Sequence, residues 1–198
     1  ELLLTRAETP ERAAQELTLL LTLGSPLRVV KGYSAPEVET TYTRARALSQ
    51  QLGDSRLLFS ALRGLWGTYA ARGEGDQTQA FGDEILRLMR TTQESALLLE
   101  GHHTLVMTRI SAGEFVEAYA HAQQGCALYN PLAHHSLVFL YAQDPRIGCM
   151  VYGAWSQWFL GYPEQAWQRM REALTLQQQL AHPFSQANFL NVTLALHQ

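Results

Sequence analysis

The residues of this sequence best able to do chemistry are its seven histidines, because a neutral imidazole can ligate a metal or move a proton near neutral pH. His102 and His103 are adjacent, so on a helix they point to different sides and cannot share one metal as residues three or four apart do. Glu100 and His103 are three apart and share a face; with His121 or His134 they would form a site if the fold gathered them. The plainer expectation is that they are surface or groove polar groups, so no metal and no cofactor is expected. His134 and His135 fall in a loop reading, Asn130-Pro-Leu-Ala-His-His135. Cys126 and Cys149 match no zinc-ligand spacing and are too few for a disulfide framework. Both lie among apolar residues, where a free cysteine packs as a small hydrophobe.

Other catalytic signatures are missing from the sequence. A phosphate loop needs a Gly-rich turn ending in Gly-Lys-Ser/Thr at a helix start. Gly73-Glu-Gly-Asp76 lacks the lysine and reads as a turn that ends a helix. Neither a Gly-x-Ser-x-Gly elbow nor a His-Glu-x-x-His pair occurs. The sequence therefore predicts a non-catalytic chain. The aromatic residues Tyr152, Trp155, Trp158, Phe159, Tyr162 and Trp167 recur at helical spacing, which reads first as core packing and second as an exposed contact patch.

Composition says which elements must position these groups. Leu and Ala together number 56, against 11 for Val and Ile. Leu and Ala lose little freedom in a helix, while β-branched residues suit strands. An all-α fold follows. The net charge is −3 and the 15 basic residues are scattered, so the clustered basic face that nucleic acid needs is lacking. Glu1-Leu-Leu-Leu-Thr5 has no basic start and no cleavage site, so it is not a signal peptide. The longest uncharged stretch, Ile147 to Pro163, contains Gly148, Gly153, Ser156 and Gln157, and falls short of the ~18 residues of a membrane span. A buried helix, no membrane contact and a cytoplasmic location are expected. The start at Glu1 and the helical pattern running out at Gln198 read as a piece of a longer protein.

Internal repeats organise the chain. Tyr69-Ala-Ala-Arg-Gly73-Glu74, Arg109-Ile-Ser-Ala-Gly113-Glu114-Phe115 and Gln157-Trp-Phe-Leu-Gly161-Tyr162-Pro163 align, with glycines 40 and 48 residues apart. Each reads as a helix closed by a left-handed Gly, a short turn, and a second helix packing back. Ala118 and Ala166, five residues after their glycines, take the close-contact place, and Thr78 fills it less well. An earlier unit pairs Pro10–Leu23, broken at Gly24-Ser-Pro26, with a helix opened by Pro36 and ended at Gly53-Asp54; Leu27 to Ala35 reads as irregular or partly helical. The Asn130 loop either opens an extra turn or lengthens the next helix from Ser136. A last helix starts near Pro183. The sum is about four and a half helix pairs in a single domain over residues 1–198, stacked as a superhelix.

Such a superhelix presents the first helix of each pair on its concave side. Setting the glycines in register turns Arg63 and Gly67, then Glu100, His103 and Met107, then Val151, Trp155 and Trp158, and last Asn188 and Asn191 towards that groove. The mixture suits a peptide or a small polar ligand rather than one sign of charge.

Several runs carry a family resemblance: Lys31-Gly-Tyr-Ser-Ala-Pro-Glu-Val-Glu39, Ala45-Arg-Ala-Leu-Ser-Gln-Gln-Leu-Gly-Asp54, Ala96-Leu-Leu-Leu-Glu-Gly-His102, Ala127-Leu-Tyr-Asn-Pro131, Leu140-Tyr-Ala-Gln-Asp-Pro145 and Ala181-His-Pro-Phe-Ser185. With Gly113-Glu-Phe115 and Leu160-Gly-Tyr-Pro163 they span nearly the whole chain. It resembles the tetratricopeptide (TPR) C-terminal region of bacterial multidomain proteins in which a predicted AAA-type ATPase follows, in many members, a class III adenylate/guanylate cyclase domain. It departs from that pattern at Gly73-Glu-Gly-Asp76 and at Gly24-Ser-Pro26. The resemblance implies a regulatory scaffold that couples recognition of a protein or peptide, or of upstream domains of its own chain, to an ATPase or cyclase. A small-molecule sensor with its pocket around His103 and Trp155 is the alternative, and self-association through exposed apolar faces stays open.

Overall fold

The computed structural model describes residues 9–141 and 143–180. Among them are ten helices and no strand: α1 Pro10–Lys31, α2 Pro36–Leu52, α3 Ser55–Arg72, α4 Gly75–Met89, α5 Ser95–Ser111, α6 Phe115–Leu128, the short α7 Pro131–His134 and α8 Leu137–Tyr141, α9 Pro145–Phe159 and α10 Pro163–Leu180. The all-α fold expected from composition is present. The helix expected from Pro183, with Asn188 and Asn191, lies outside the described residues.

Local chemistry sets the boundaries. Thr9, Asp54 and Asp144 each accept the N–H three residues on, at Arg12, Leu57 and Ile147, satisfying a donor that a helix start leaves orphaned. Prolines occupy the first turn of α1, α2, α7 and α9, where the missing N–H has no intrahelical partner in any case. The glycines read as helix stops are all left-handed, with φ of 68° at Gly53, 73° at Gly73, 76° at Gly113 and 87° at Gly161.

The chain divides into two compact units, Glu1–Leu88 and Met89–Gln198. In the first, α1 packs on α2, α2 on α3, and α3 also touches α1. Its core joins Ala13, Leu17, Ala45, Leu48 and Ala61, flanked by Leu20, Leu21, Leu52 and Leu57. Tyr69 of α3 stacks on Phe81 of α4 at 5.4 Å. Thr78 fills its close-contact place after all, 3% exposed, with its hydroxyl satisfied by donating to the Glu74 carbonyl at 2.9 Å.

In the second unit α5 packs on α6 and α9, α6 on α9, and α9 on α10. Ala118, Ala122 and Ala166 are essentially buried at the close contacts. Ile147, Met150, Val151, Ala154, Ala166, Met170 and Ala173 form the α9–α10 core. The loop after Tyr129 forms the extra turns α7 and α8, and α9 begins only at Pro145, not at Ser136.

One expectation is overturned. Gly24-Ser25-Pro26 does not break the first helix, which runs on to Lys31. Pro26 offers no N–H to the Thr22 carbonyl, ordinarily a cost of about 3 kcal/mol. Tertiary packing offsets it: Gly24, Ser25 and Arg28 are all buried, and the ring of Tyr42 lies against the Gly24 backbone so closely that a Cβ there would collide with it. Gly32, with φ 88°, then closes the helix and donates to the Arg28 carbonyl.

Among the described residues no helix is long and apolar enough to cross a membrane. The uncharged stretch from Ile147 is the buried α9.

Candidate functional site

The second unit gathers the ionisable groups singled out by sequence. Glu100 and His103 lie one turn apart on α5, 0% and 1% exposed, with His103 Nδ1 3.3 Å from each carboxylate oxygen. The imidazole is also held by α9: it stacks on Tyr152 with centroids 6.2 Å apart, and its Nε2 edge lies against the backbone at Gly148, where a Cβ would strike the ring.

Asp144, the N-cap of α9, is also fully buried. It accepts from the Ile147 N–H at 3.1 Å and from the Tyr129 hydroxyl at 3.3 Å. Burial raises its carboxyl above the ordinary range, opposed by the Ile147 bond, the Tyr129 bond and the nearby His103. Burial, with Asp144 opposite, pushes the Tyr129 phenol up to about 12.

Beneath the loop, His134 is 1% exposed. The Asn130 N–H donates to its Nδ1 at 3.0 Å, so Nδ1 carries a lone pair, and the neutral ring holds its proton on Nε2, which faces Ser95 Oγ at 3.0 Å. That is a structural histidine pinning the loop to the start of α5. Burial lowers its basicity, with Asp144 pulling the other way.

His102, on a different side of α5 from His103 as the spacing predicts, meets His121 of α6, Nδ1 to Nδ1 at 3.0 Å. Burial first, and His121 second, lower His102 to about 4, so this contact requires a neutral imidazole. The two cysteines are free, and burial raises both thiols, that of Cys149 well above its usual value; neither is an activated thiolate. Among the described residues no three His, Cys, Asp or Glu side chains are placed to hold a metal.

The groove residues expected from register separate by environment. Arg63 is in the first unit, 3% exposed, its guanidinium 4.5 Å over Trp66; Gly67 is one turn on, beside Tyr33. Glu100 and His103 contact each other, but Val151 is in the α9–α10 core, Trp155 packs on that core, and Met107 packs on Val106, Ala118, Ala122 and Tyr152. Trp158 is 38% exposed. The aromatic stripe therefore divides: Tyr152 is core, whereas Trp158, Phe159 and Tyr162 form an exposed edge at the α9–α10 turn. Phe115, at the α5–α6 turn, stacks on Phe159 at 4.6 Å and extends that edge, and Trp167 meets Trp158 edge-on at 6.1 Å.

Sequence reading missed Asp144, although Asp before Pro is a helix-start signal. It missed Arg28 as well, because Gly24-Ser-Pro26 was read as the end of its helix.

No family model matches the chain, and no curated protein matches it.

Proposed function

We propose that this chain is a non-catalytic binding scaffold whose helix hairpins are TPR-type repeats, and that it couples recognition of a protein partner to an ATPase or nucleotide cyclase domain of the kind the sequence resemblance implies. The observation that carries the reading is the aromatic edge of the second unit. Phe159 is 54% and Tyr162 53% exposed, Phe159 is held in place by stacking on Phe115, and large rigid aromatics of this sort anchor protein interfaces at low entropic cost. The direct test is a calorimetric titration of the chain with the ATPase or cyclase domain. Trp158→Ala with Phe159→Ala should weaken binding by tenfold or more while the protein keeps the helical circular-dichroism spectrum of the wild type. Unchanged affinity in that variant, or no association at ~100 μM, where an interface this small should still register, rejects the proposal.

A second reading, a small-molecule sensor around His103 and Trp155, is supported by the Trp155 indole N–H, which is buried and donates to nothing among the described residues. A ligand acceptor there would satisfy it. A metabolite that raises the melting temperature of the wild type but not of Trp155→Phe would favour this reading.

A further inference from the structure

We propose that Arg28, with Arg63 beside it, is a binding site in the first unit for the carboxylate or phosphate group of a small acidic metabolite. Arg28 is 2% exposed and among the largest fully buried side chains. Its Nε and Nη1 are buried without a hydrogen-bond acceptor among the described residues.

A guanidinium cannot shed its proton as a buried lysine can, and a buried unpaired charge is strongly destabilising. The fold surrounds it with aromatic faces instead of a carboxylate: Arg28 Cζ is 5.2 Å from the Tyr33 ring centroid and 5.5 Å from that of Tyr42. Those faces screen the charge but leave Nε–H and Nη1–H, on different edges of the guanidinium, without an acceptor that an oxygen of a carboxylate or phosphate would supply.

The surroundings are shaped around the same spot. A Cβ at Gly24 of α1 or Gly64 of α3 would collide with the Tyr42 ring, and one at Gly67 would sit 3.3 Å from Arg63 Nη1 and 3.5 Å from Tyr33 Cδ1. Three glycines inside helices, each unfavourable there by propensity, thus leave room for the Tyr42 and Tyr33 rings and for Arg63. The Tyr42 phenol, raised by burial, is drawn back by Arg28 and Arg63, so both positive charges reach one hydroxyl. Tyr42, Trp66 and Arg63 are buried, whereas Tyr33, in the α1–α2 connection, is half-buried. Entry is therefore on the Tyr33 side. The site is independent of the aromatic edge, which belongs to the other unit.

The test is thermal unfolding of the whole chain in chloride-matched buffers, with inorganic phosphate in one arm and succinate in the other. The productive anion should raise the melting temperature by roughly 5–10 °C at about 100 times its dissociation constant, growing with the logarithm of concentration. A response to phosphate alone assigns a phosphate ligand, and a response to succinate alone a carboxylate. Arg28→Met should abolish the shift while melting, ligand-free, no lower than wild type, because it removes an unpaired buried charge and keeps the volume. Arg28→Lys should weaken binding tenfold or more, since it keeps the charge but loses the planar set of guanidinium donors. The Arg28 Nε–H resonance of the wild-type protein should also move saturably during titration. An anion shift retained in Arg28→Met, no shift with either anion, or an Nε–H signal that stays put overturns the proposal.

Discussion

Gly148→Ala is the substitution that most directly questions the buried site. Helix propensity by itself favours alanine in the middle of α9 by up to ~1 kcal/mol. The structure predicts the opposite sign, because the new methyl would enter the His103 ring, and that ring has no room to retreat. Tyr152 stacks on it, Glu100 holds its Nδ1, and it is 1% exposed. Overpacking a core by one methyl costs about 1–3 kcal/mol, and a buried hydrogen-bonding group that loses its partner costs about 1–3 kcal/mol. Partial loss of the Glu100 contact on top of the overpacking, less the propensity gain, gives a net loss of about 1–4 kcal/mol. Urea unfolding followed by circular dichroism would measure it, in both the wild-type and the His103→Ala background. With the ring removed, the alanine should be neutral or stabilising, so the cycle should show a coupling of ~2 kcal/mol or more. An equal cost in the two backgrounds would refute the account, for the glycine would then be serving something other than the ring.

Acid should destabilise the second unit through His102. Its folded pKa of about 4 lies below the ordinary ~6.5 of an unfolded histidine; the unfolded chain therefore binds more protons between those values, and stability is lost as pH falls through that window. Because the ring is half-buried and solvent screens it, the loss is about 1–2 kcal/mol, and urea midpoints at pH 7 and pH 4.5 should differ by less in His102→Gln than in wild type. Asp144→Ala should cost about 1–2 kcal/mol through the lost α9 cap, with the Tyr129 hydroxyl left without its carboxylate; its pH-titrated absorbance should show the phenol ionising lower than in wild type.

Much of the local structure was determined by the sequence alone. The helices end at Gly53, Gly73, Gly113 and Gly161 because a left-handed residue closes a helix and glycine adopts that conformation without strain. The pairing of α5 with α6 and of α9 with α10 follows from small residues, Ala118 and Ala166, placed five positions beyond such a stop. The Glu100–His103 contact was legible too, since a spacing of three brings side chains together on any helix. What tertiary structure alone decided is where packing outweighs local preference. Gly24-Ser25-Pro26 remains helical because the Tyr42 ring, eighteen residues away in sequence, needs the bare backbone of Gly24 to lie against. Sequence placed Arg63 towards a groove, and the fold buries it over Trp66. The same packing encloses Arg28 between aromatic rings contributed by the next turn and the next helix. It also divides one aromatic stripe into core at Tyr152 and open surface at Phe159 and Tyr162. Periodicity shows which residues share a helix face, but burial depends on the helices that cover that face, and these come from distant positions in the chain.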